Sequence, residues 1–402
     1  MIRDYIKREG YINKIAPFIN KDIIKILVGQ RRVGKSYMLF QLIDHIKNID
    51  ERHHIIYINK EMHDFEFIKN AVELLDYIHK KTDKKRNNYV FIDEIQEIQN
   101  FERAVRSLLA EGGYDIYCTG SNANLLSSEI ATHLAGRYLE FEIFCLSYDE
   151  FLIFHKLEDS HNALLKYIKY GGLPFLIHLK LEDHIIYDYL NNIYKTILYK
   201  DIIARHSVRN TAFLERLVEY LADNTGSLVS AKKISDFLKS QKINISPNVV
   251  LNYLSYLSNA FFIFKVQRAD IQGKKIFEIG EKYYFEDIGL RHAVRGYHQN
   301  DINKILENLV FLHLKISGYS VHTGKLKDKE IDFVCTRGDE KLYVQVVYRI
   351  TDQKVHAREF GNLSMIRDNH PKIVVSMDEM MGQGYKGIKH LHIRQFLSQD
   401  RT

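Results

Sequence analysis

Cysteine is scarce. Cys118, Cys145 and Cys335 lie far apart in 402 residues and form no Cys-x-x-Cys pair, which excludes a disulfide framework and a zinc site. Four prolines and 21 glycines are too few for a collagen-like or low-complexity chain. No uninterrupted apolar run approaches the roughly 18 residues that span a bilayer, so no membrane association is expected. The start, Met1-Ile-Arg-Asp-Tyr-Ile-Lys-Arg, is too charged to read as a signal peptide. A soluble cytoplasmic protein is the expectation. The 19 histidines form no ligand constellation, and His53-His54 reads as a solvated loop before a strand, so no metalloenzyme is expected. Nor is either charge in large excess. Against 51 Asp and Glu stand 57 Lys and Arg, a formal +6 that permits a nucleic-acid partner without requiring one.

What is present is globular: 46% hydrophobic and 27% charged residues, over a length that suggests about two to four domains. Lys25–Val28, Ile55–Ile58, Tyr89–Ile92 and Asp115–Cys118 read as buried strands alternating with helices, an α/β core with a parallel sheet over residues 1–145. Residues 146–225 are helix after helix, including a long one over Asp183–Tyr199. In 226–295, Ser230 caps a helix through Lys239, Ser246-Pro247 opens another, and two β-prone runs follow (Phe261–Val266 and Lys275–Ile279). Helix, helix, hairpin outlines a winged helix. Residues 296–402 return to α/β, with a helix over Ile302–Ile316, strands at Tyr319–His322, Ile331–Thr336, Leu342–Val347 and Pro371–Ser376, and a helix near Val355–Arg367.

Gly29-Gln-Arg-Arg-Val-Gly34-Lys35-Ser36 satisfies G-x-x-x-x-G-K-[ST] in full, between a strand and a helix. Such a loop curls its amides around phosphate oxygens, with the lysine bridging the β- and γ-phosphates and the serine hydroxyl on magnesium. Gly29, Gln30, Arg31, Arg32, Val33, Gly34, Lys35, Ser36 and Tyr37 are therefore the candidate nucleotide contacts. The strand Tyr89–Ile92 ends in Asp93-Glu94, which puts Asp93 where it can hold magnesium and Glu94 where it can orient or deprotonate an attacking water. At the end of the fourth strand, Ser121 or Asn122 is placed to touch the γ-phosphate or that water; turn chemistry alone would also select Gly-Ser-Asn. ATP and Mg2+ are the expected cofactors.

Residues 20–145 resemble the AAA+ ATPases, in particular the bacterial and archaeal branch whose phosphate loop carries Arg-Arg-x-Gly, here Arg31-Arg32-Val33-Gly34. The resemblance extends to Gly120-Ser121, to Leu134-Ala-Gly-Arg137 and to the aromatic-rich Tyr138–Ile143. It implies that Arg137 is a phosphate-sensing or finger arginine; an arginine paired with Glu140 or Glu142 is the structural alternative. Gly172-Leu173-Pro174 resembles the Gly-x-Pro of STAND-type lids, which implies Pro174 near the base and ribose, with a plain turn between helices as the other reading. The expected architecture is a P-loop AAA+ core, a helical lid, a winged helix and a restriction-endonuclease-like C-terminal domain.

That last domain resembles the PD-(D/E)XK nucleases, which implies metal-holding carboxylates at Glu307 and Asp332. The third element reads Gln345-Val346-Val347, with an amide for the acid and valine for the lysine, so the nuclease site is expected to be degenerate. Lys325 or Arg349 could stand in for the missing lysine, though nothing in the sequence places either of them there. The whole arrangement, including Tyr283-Tyr-Phe-Glu-Asp287-Ile-Gly-Leu-Arg291, resembles multidomain ATPases of this kind. Residues 226–300 sum to +5 and 301–402 to +3, against −2 for 1–225. A DNA partner would therefore meet the winged helix, without base readout, since Pro247–Ser258 has no Arg or Lys. The functional expectation is Mg-dependent ATP hydrolysis coupled to a conformational or assembly change, with a second copy or another protein as partner. The alternative is an ATP-gated DNA-binding or nuclease effector.

Overall fold

Strand β1 (Ile24–Val28) is buried along its whole length, Lys25 included, because its ammonium is matched by Asp115 and the Ile23 carbonyl. A strand buried on both faces belongs in the middle of a parallel sheet with helices on either side. The computed structural model describes residues 5–123, 134, 136–271, 276–379 and 384–398, and divides them into two compact units. The first spans residues 1–144 with 259–261. It contains α1 (Glu9–Ile15), β1, α2 (Lys35–Ile49), β2 (His53–Asn59), α3 (Ala71–Lys81), β3 (Asn87–Asp93), α4 (Phe101–Glu111), β4 (Tyr114–Gly120) and β5 (Tyr138–Glu142). The five strands are parallel in the order β2-β3-β4-β1-β5. Asn70 starts α3 by accepting the Val72 and Glu73 amides. Since all strands run one way, the segments after β1, β3 and β4 lie side by side along one edge of the sheet.

The second unit spans residues 145–258 and 262–402. Its helices are α5 (Tyr148–His155), α6 (His161–Tyr170), α7 (Asp183–Thr196), α8 (Thr211–Asp223), α9 (Ala231–Ser240) and α10 (Pro247–Asn259). Ser147 and Glu150 form a reciprocal capping box on α5, and Ser230 caps α9 as expected. The long helix departs from expectation: α-geometry stops at Thr196 and the chain continues as a π-helix over Ile197–Ala204. Then come β6 (Ile263–Asp270), β7 (Ile276–Phe285), α11 (Ile288–Arg295), α12 (Ile302–Ile316), β8 (Ser320–Leu326), β9 (Lys329–Arg337) and β10 (Glu340–Val346). The unit ends with α13 (Gln353–Ser364), β11 (Lys372–Ser376), β12 (Lys389–His392) and α14 (Ile393–Leu397).

The seven strands form one mixed sheet ordered β12-β11-β10-β9-β8-β6-β7. The hairpin expected as a wing is thus not free-standing: β6 pairs in parallel with β8, Arg268 to Asp270 against Thr323 to Lys325. The expected lid and C-terminal segments lie within this second unit, as does the winged-helix segment apart from residues 259–261. Strand β12 was not anticipated. Among the described residues no helix is long and apolar enough to cross a membrane.

Candidate functional site

The turn after β1 demands its glycines. Gly29 sits at φ +149° with the Ile143 carbonyl oxygen where a Cβ would be, at 2.2 Å, and Gly34 at φ +99° starts α2. Arg32 is also left-handed, at φ +74°. Lys35 is buried, and its Nζ donates to the Gly29 and Gln30 carbonyls at 2.9 Å each. Gln30 and Val33 point inward, Gln30 donating to the Phe261 carbonyl. Arg31 pairs with Glu61 at 3.6 Å, while Arg32 and Tyr37 are exposed. Buried Arg8, which sequence reasoning missed, braces the loop by donating to the Val33 carbonyl at 3.2 Å and the Phe144 carbonyl at 3.0 Å.

The acid pair meets this loop. Asp93 at the end of β3 is buried and hydrogen-bonded by the Ser36 hydroxyl. Burial raises its pKa, the Thr119 and Ser36 hydrogen bonds oppose the rise, and the result stays above the ordinary aspartate value. Glu94 follows in a left-handed conformation (φ +56°). Its carboxylate accepts from Gln96 and, at 3.1 Å, from the Ser121 hydroxyl. Burial would raise its pKa too, but Lys35, the Gln96 bond, Arg31 and Ser121 outweigh it, so Glu94 lies below the usual glutamate value and is ionised at neutral pH.

Thr119 joins the two acids. It is fully buried, donates to Asp93 Oδ1 at 2.5 Å and accepts the Glu94 amide at 2.9 Å. Its only sequence signal was a hydroxyl beside the expected Ser121 and Asn122. Of those two, Ser121 is the one that contacts Glu94, and Asn122 is buried next to it. Oxygen ligands from Ser36 and Asp93, already within hydrogen-bond reach of each other, suit magnesium, which prefers hard oxygen donors.

Arg137 is not part of this cluster. It lies at the start of β5, where its carbonyl accepts the Ile24 amide, and Ile24 pairs with Tyr138. That is the amino edge of the sheet, and the length of β1, roughly 13 Å at strand rise, separates it from the loop. Arg137 is exposed, and among the described residues no ion pair holds its guanidinium, Glu140 and Glu142 included. With Arg103, Arg106, Asn70 and Glu73 it lines a surface groove of about 980 Å3.

In the second unit, Pro174 opens a 3-10 turn, and Gly171-Gly172 before it has a packing reason. A Cβ on Gly171 would lie 2.5 Å from the Asp287 carboxylate, which accepts the Gly172 amide at 2.7 Å and the Leu290 amide at 2.9 Å. Burial pushes the Asp287 pKa up to about 6. Next to it, Glu286 accepts the Cys145 amide, and buried Arg291 donates to the Ala222 carbonyl and Asp301. The Tyr283–Arg291 motif is therefore an internal clamp.

The C-terminal carboxylates converge, with one correction to expectation. Asp332 (β9) and Glu307 (α12) face each other across a lysine supplied by neither Lys325 nor Arg349, the latter exposed and lying over Tyr348. Lys282 of β7, almost fully buried, places Nζ 2.8 Å from Glu307, 2.8 Å from Glu330 and 3.8 Å from Asp332. Burial alone would lower its pKa; the three carboxylates reverse this and raise it. Gln345 Oε1 accepts the Asp332 amide at 3.3 Å. Val347 packs in the apolar core with Ile331, Tyr343 and Phe360. Among the described residues no group of three or more His, Cys, Asp and Glu side chains is placed to hold a metal ion.

Comparison with known proteins agrees with the first unit's architecture. The family model described as an AAA domain matches residues 21–152, and one described as a domain of unknown function (DUF8612) matches 161–301. An uncharacterized protein of Haemophilus influenzae is 37% identical, covering 99% of this chain and 100% of its own. An uncharacterized protein of Methanocaldococcus jannaschii is 34% identical over 92% of this chain and 87% of its own. Among solved structures, a Walker-type ATPase of Pyrococcus abyssi has a similar fold, with a TM-score of 0.50 at 16% identity, covering 73% of this chain and 99% of that one.

Proposed function

The chain belongs to the same family as the Haemophilus influenzae and Methanocaldococcus jannaschii proteins and carries a P-loop AAA+ ATPase domain, and on that premise we propose that it hydrolyses ATP at the β1–β3–β4 edge and couples turnover to assembly or shape. The observation that carries this reading is that Lys35, Ser36, Asp93 and Glu94 meet there, with Asp93 bonded to Ser36 and Glu94 under the Lys35 charge. The loop amides of Gly29 to Ser36 and the positive end of α2 receive the phosphates, and Lys35 spans the β- and γ-oxygens. Magnesium, held by Ser36 and Asp93, would supply charge neutralisation at those oxygens. Ionised Glu94, aimed by Gln96 and Ser121, orients the attacking water and takes its proton. Asn122 is the candidate contact for the γ-phosphate. Arg137, on the far edge, serves the site of a neighbouring copy rather than its own.

Lys35→Ala should lose ATP binding, Glu94→Gln should bind ATP but turn over slowly, and Arg137→Ala should bind and turn over slowly. Mixing Arg137→Ala with Lys35→Ala should restore part of the rate, since each supplies what the other is missing. Equal ATP binding by wild type and Lys35→Ala would falsify the reading; no recovery on mixing sinks the role of Arg137 between copies. A second reading, contact with DNA, is favoured by one observation: Lys232, Lys233, Lys239 and Lys242 are all exposed on and just beyond α9.

A further inference from the structure

The lysine among the C-terminal carboxylates is the feature that the ATPase reading leaves unused, and it stands on the second unit alone. A lysine ammonium has three donors in a compact point charge. Here it faces three carboxylates: Glu307 from α12, and Glu330 and Asp332 from β9. The remaining bonds are committed as well. Glu307 also accepts from the buried Tyr284 hydroxyl at 2.6 Å, and Asp332 accepts the Val346 amide at 2.8 Å. The turn at Gly226 closes over Glu307 so tightly that a Cβ there would lie 3.1 Å from its carboxyl. Nearby Glu359, close enough to act on the charge of Asp332, is buried; its Oε1 pairs with Arg358 and its Oε2 makes no hydrogen bond. Burial and the Glu307 charge push the Asp332 pKa well up, toward the neutral form, and Lys282 is the central cation.

We propose that the Lys282 ammonium occupies the place that a divalent cation takes between such carboxylates, so that this site is neutralised from within and is closed to metal. Its contacts of 2.8 Å hold the oxygens farther apart than a magnesium or manganese shell, where ligands sit at about 2.0 to 2.2 Å. That spacing accounts for the absence of a metal-competent grouping among the described residues. The segment therefore offers no metal-activated water to a phosphodiester. Removing the ammonium while keeping the acids turns the cluster into an oxygen-lined site for one divalent cation.

The test uses full-length, nucleotide-free protein in an Asp93→Asn background, so that the ATP site does not contribute. Mn2+ is titrated and followed by the electron paramagnetic resonance signal of free ion and by thermal unfolding. The parent should bind no Mn2+ and show no Mn2+-dependent plasmid cleavage. Lys282→Met should unfold at lower temperature, bind one Mn2+ per chain, and regain about 5 °C at saturating metal. Adding Asp332→Asn should abolish that gain, and Lys282→Arg, which keeps the charge, should stay silent to metal. Should Lys282→Met not fold, Lys282→Met/Glu330→Gln removes one charge of each sign and must show the same gain. Mn2+ binding or Asp332-dependent cleavage by the parent overturns the proposal, as does failure of both Lys282 variants to bind the ion.

Discussion

Replacing Thr119 by valine keeps the shape of the side chain and removes one oxygen. That oxygen makes two hydrogen bonds, one to the Asp93 carboxylate at 2.5 Å and one from the Glu94 amide at 2.9 Å, at a fully buried position. A bond to an ionised group contributes about 1.5 to 3 kcal/mol and a neutral one about 1, and the bared Glu94 amide carries its own desolvation cost. The expected loss is about 2 to 4 kcal/mol. Thr119→Ser keeps the hydroxyl and should cost only about 1 kcal/mol for the missing methyl. The assay is denaturant unfolding, reading the transition that ATP shifts.

A second readout follows from titration. Asp93 already sits above its ordinary value, held down partly by the Thr119 bond, so valine should raise it further. Asp93 must be ionised to hold magnesium, so the acid limb of the turnover profile should move to higher pH. The stability sign agrees: a native pKa above the unfolded one gives stability below the unfolded pKa that is lost as pH rises through the native one, and the variant should lose more. Equal stability of the valine and serine variants, with an unmoved acid limb, would refute the bridging role.

Two further outcomes can be checked directly. If α9 contacts DNA, a gel shift should appear at low salt, weaken steeply as salt rises, and be lost when Lys232, Lys233, Lys239 and Lys242 are changed to Ala; a shift that ignores salt or survives the change contradicts phosphate contact. Asp287 has a native pKa raised to about 6, so its contribution to stability is full below its unfolded pKa and falls as pH climbs to 6. Between pH 4 and pH 7, wild type should therefore lose up to about 3 kcal/mol relative to Asp287→Asn in denaturant unfolding; parallel profiles would show that Asp287 titrates normally.

The phosphate loop was legible because its requirements are local. Two glycines, a lysine and a serine at fixed offsets between a strand and a helix say what the backbone must do. Asp93 and Glu94 were legible for the same reason, at the end of an apolar strand. Thr119 was not, because its role exists only once β4 lies beside β3 with Ile92 opposite Cys118, and strand order is not written in periodicity. Lys282 was missed more completely. The expected lysine position holds Val347, and the ammonium that meets the carboxylates comes from β7, a strand read as part of a different module. The end of α7 was misplaced since the periodic pattern continues through Ile197 while the backbone changes to π-helix there. Gly171-Gly172 read either as part of a lid motif near the base and ribose or as a plain turn between helices, and its partner Asp287 lies more than a hundred residues away.

The parallel pairing of β6 with β8 bears on how this protein can be dissected. A fragment ending at residue 295 would keep the β6–β7 hairpin but bare the side of β6 where Arg268, Ala269 and Asp270 now meet Thr323, Gly324 and Lys325. A fragment starting at residue 296 would bare the matching side of β8. Unpaired edges of this kind recruit other chains. Either piece would self-associate by exchanging strands, so a dimer seen with it would report a severed sheet and say nothing of how intact molecules assemble.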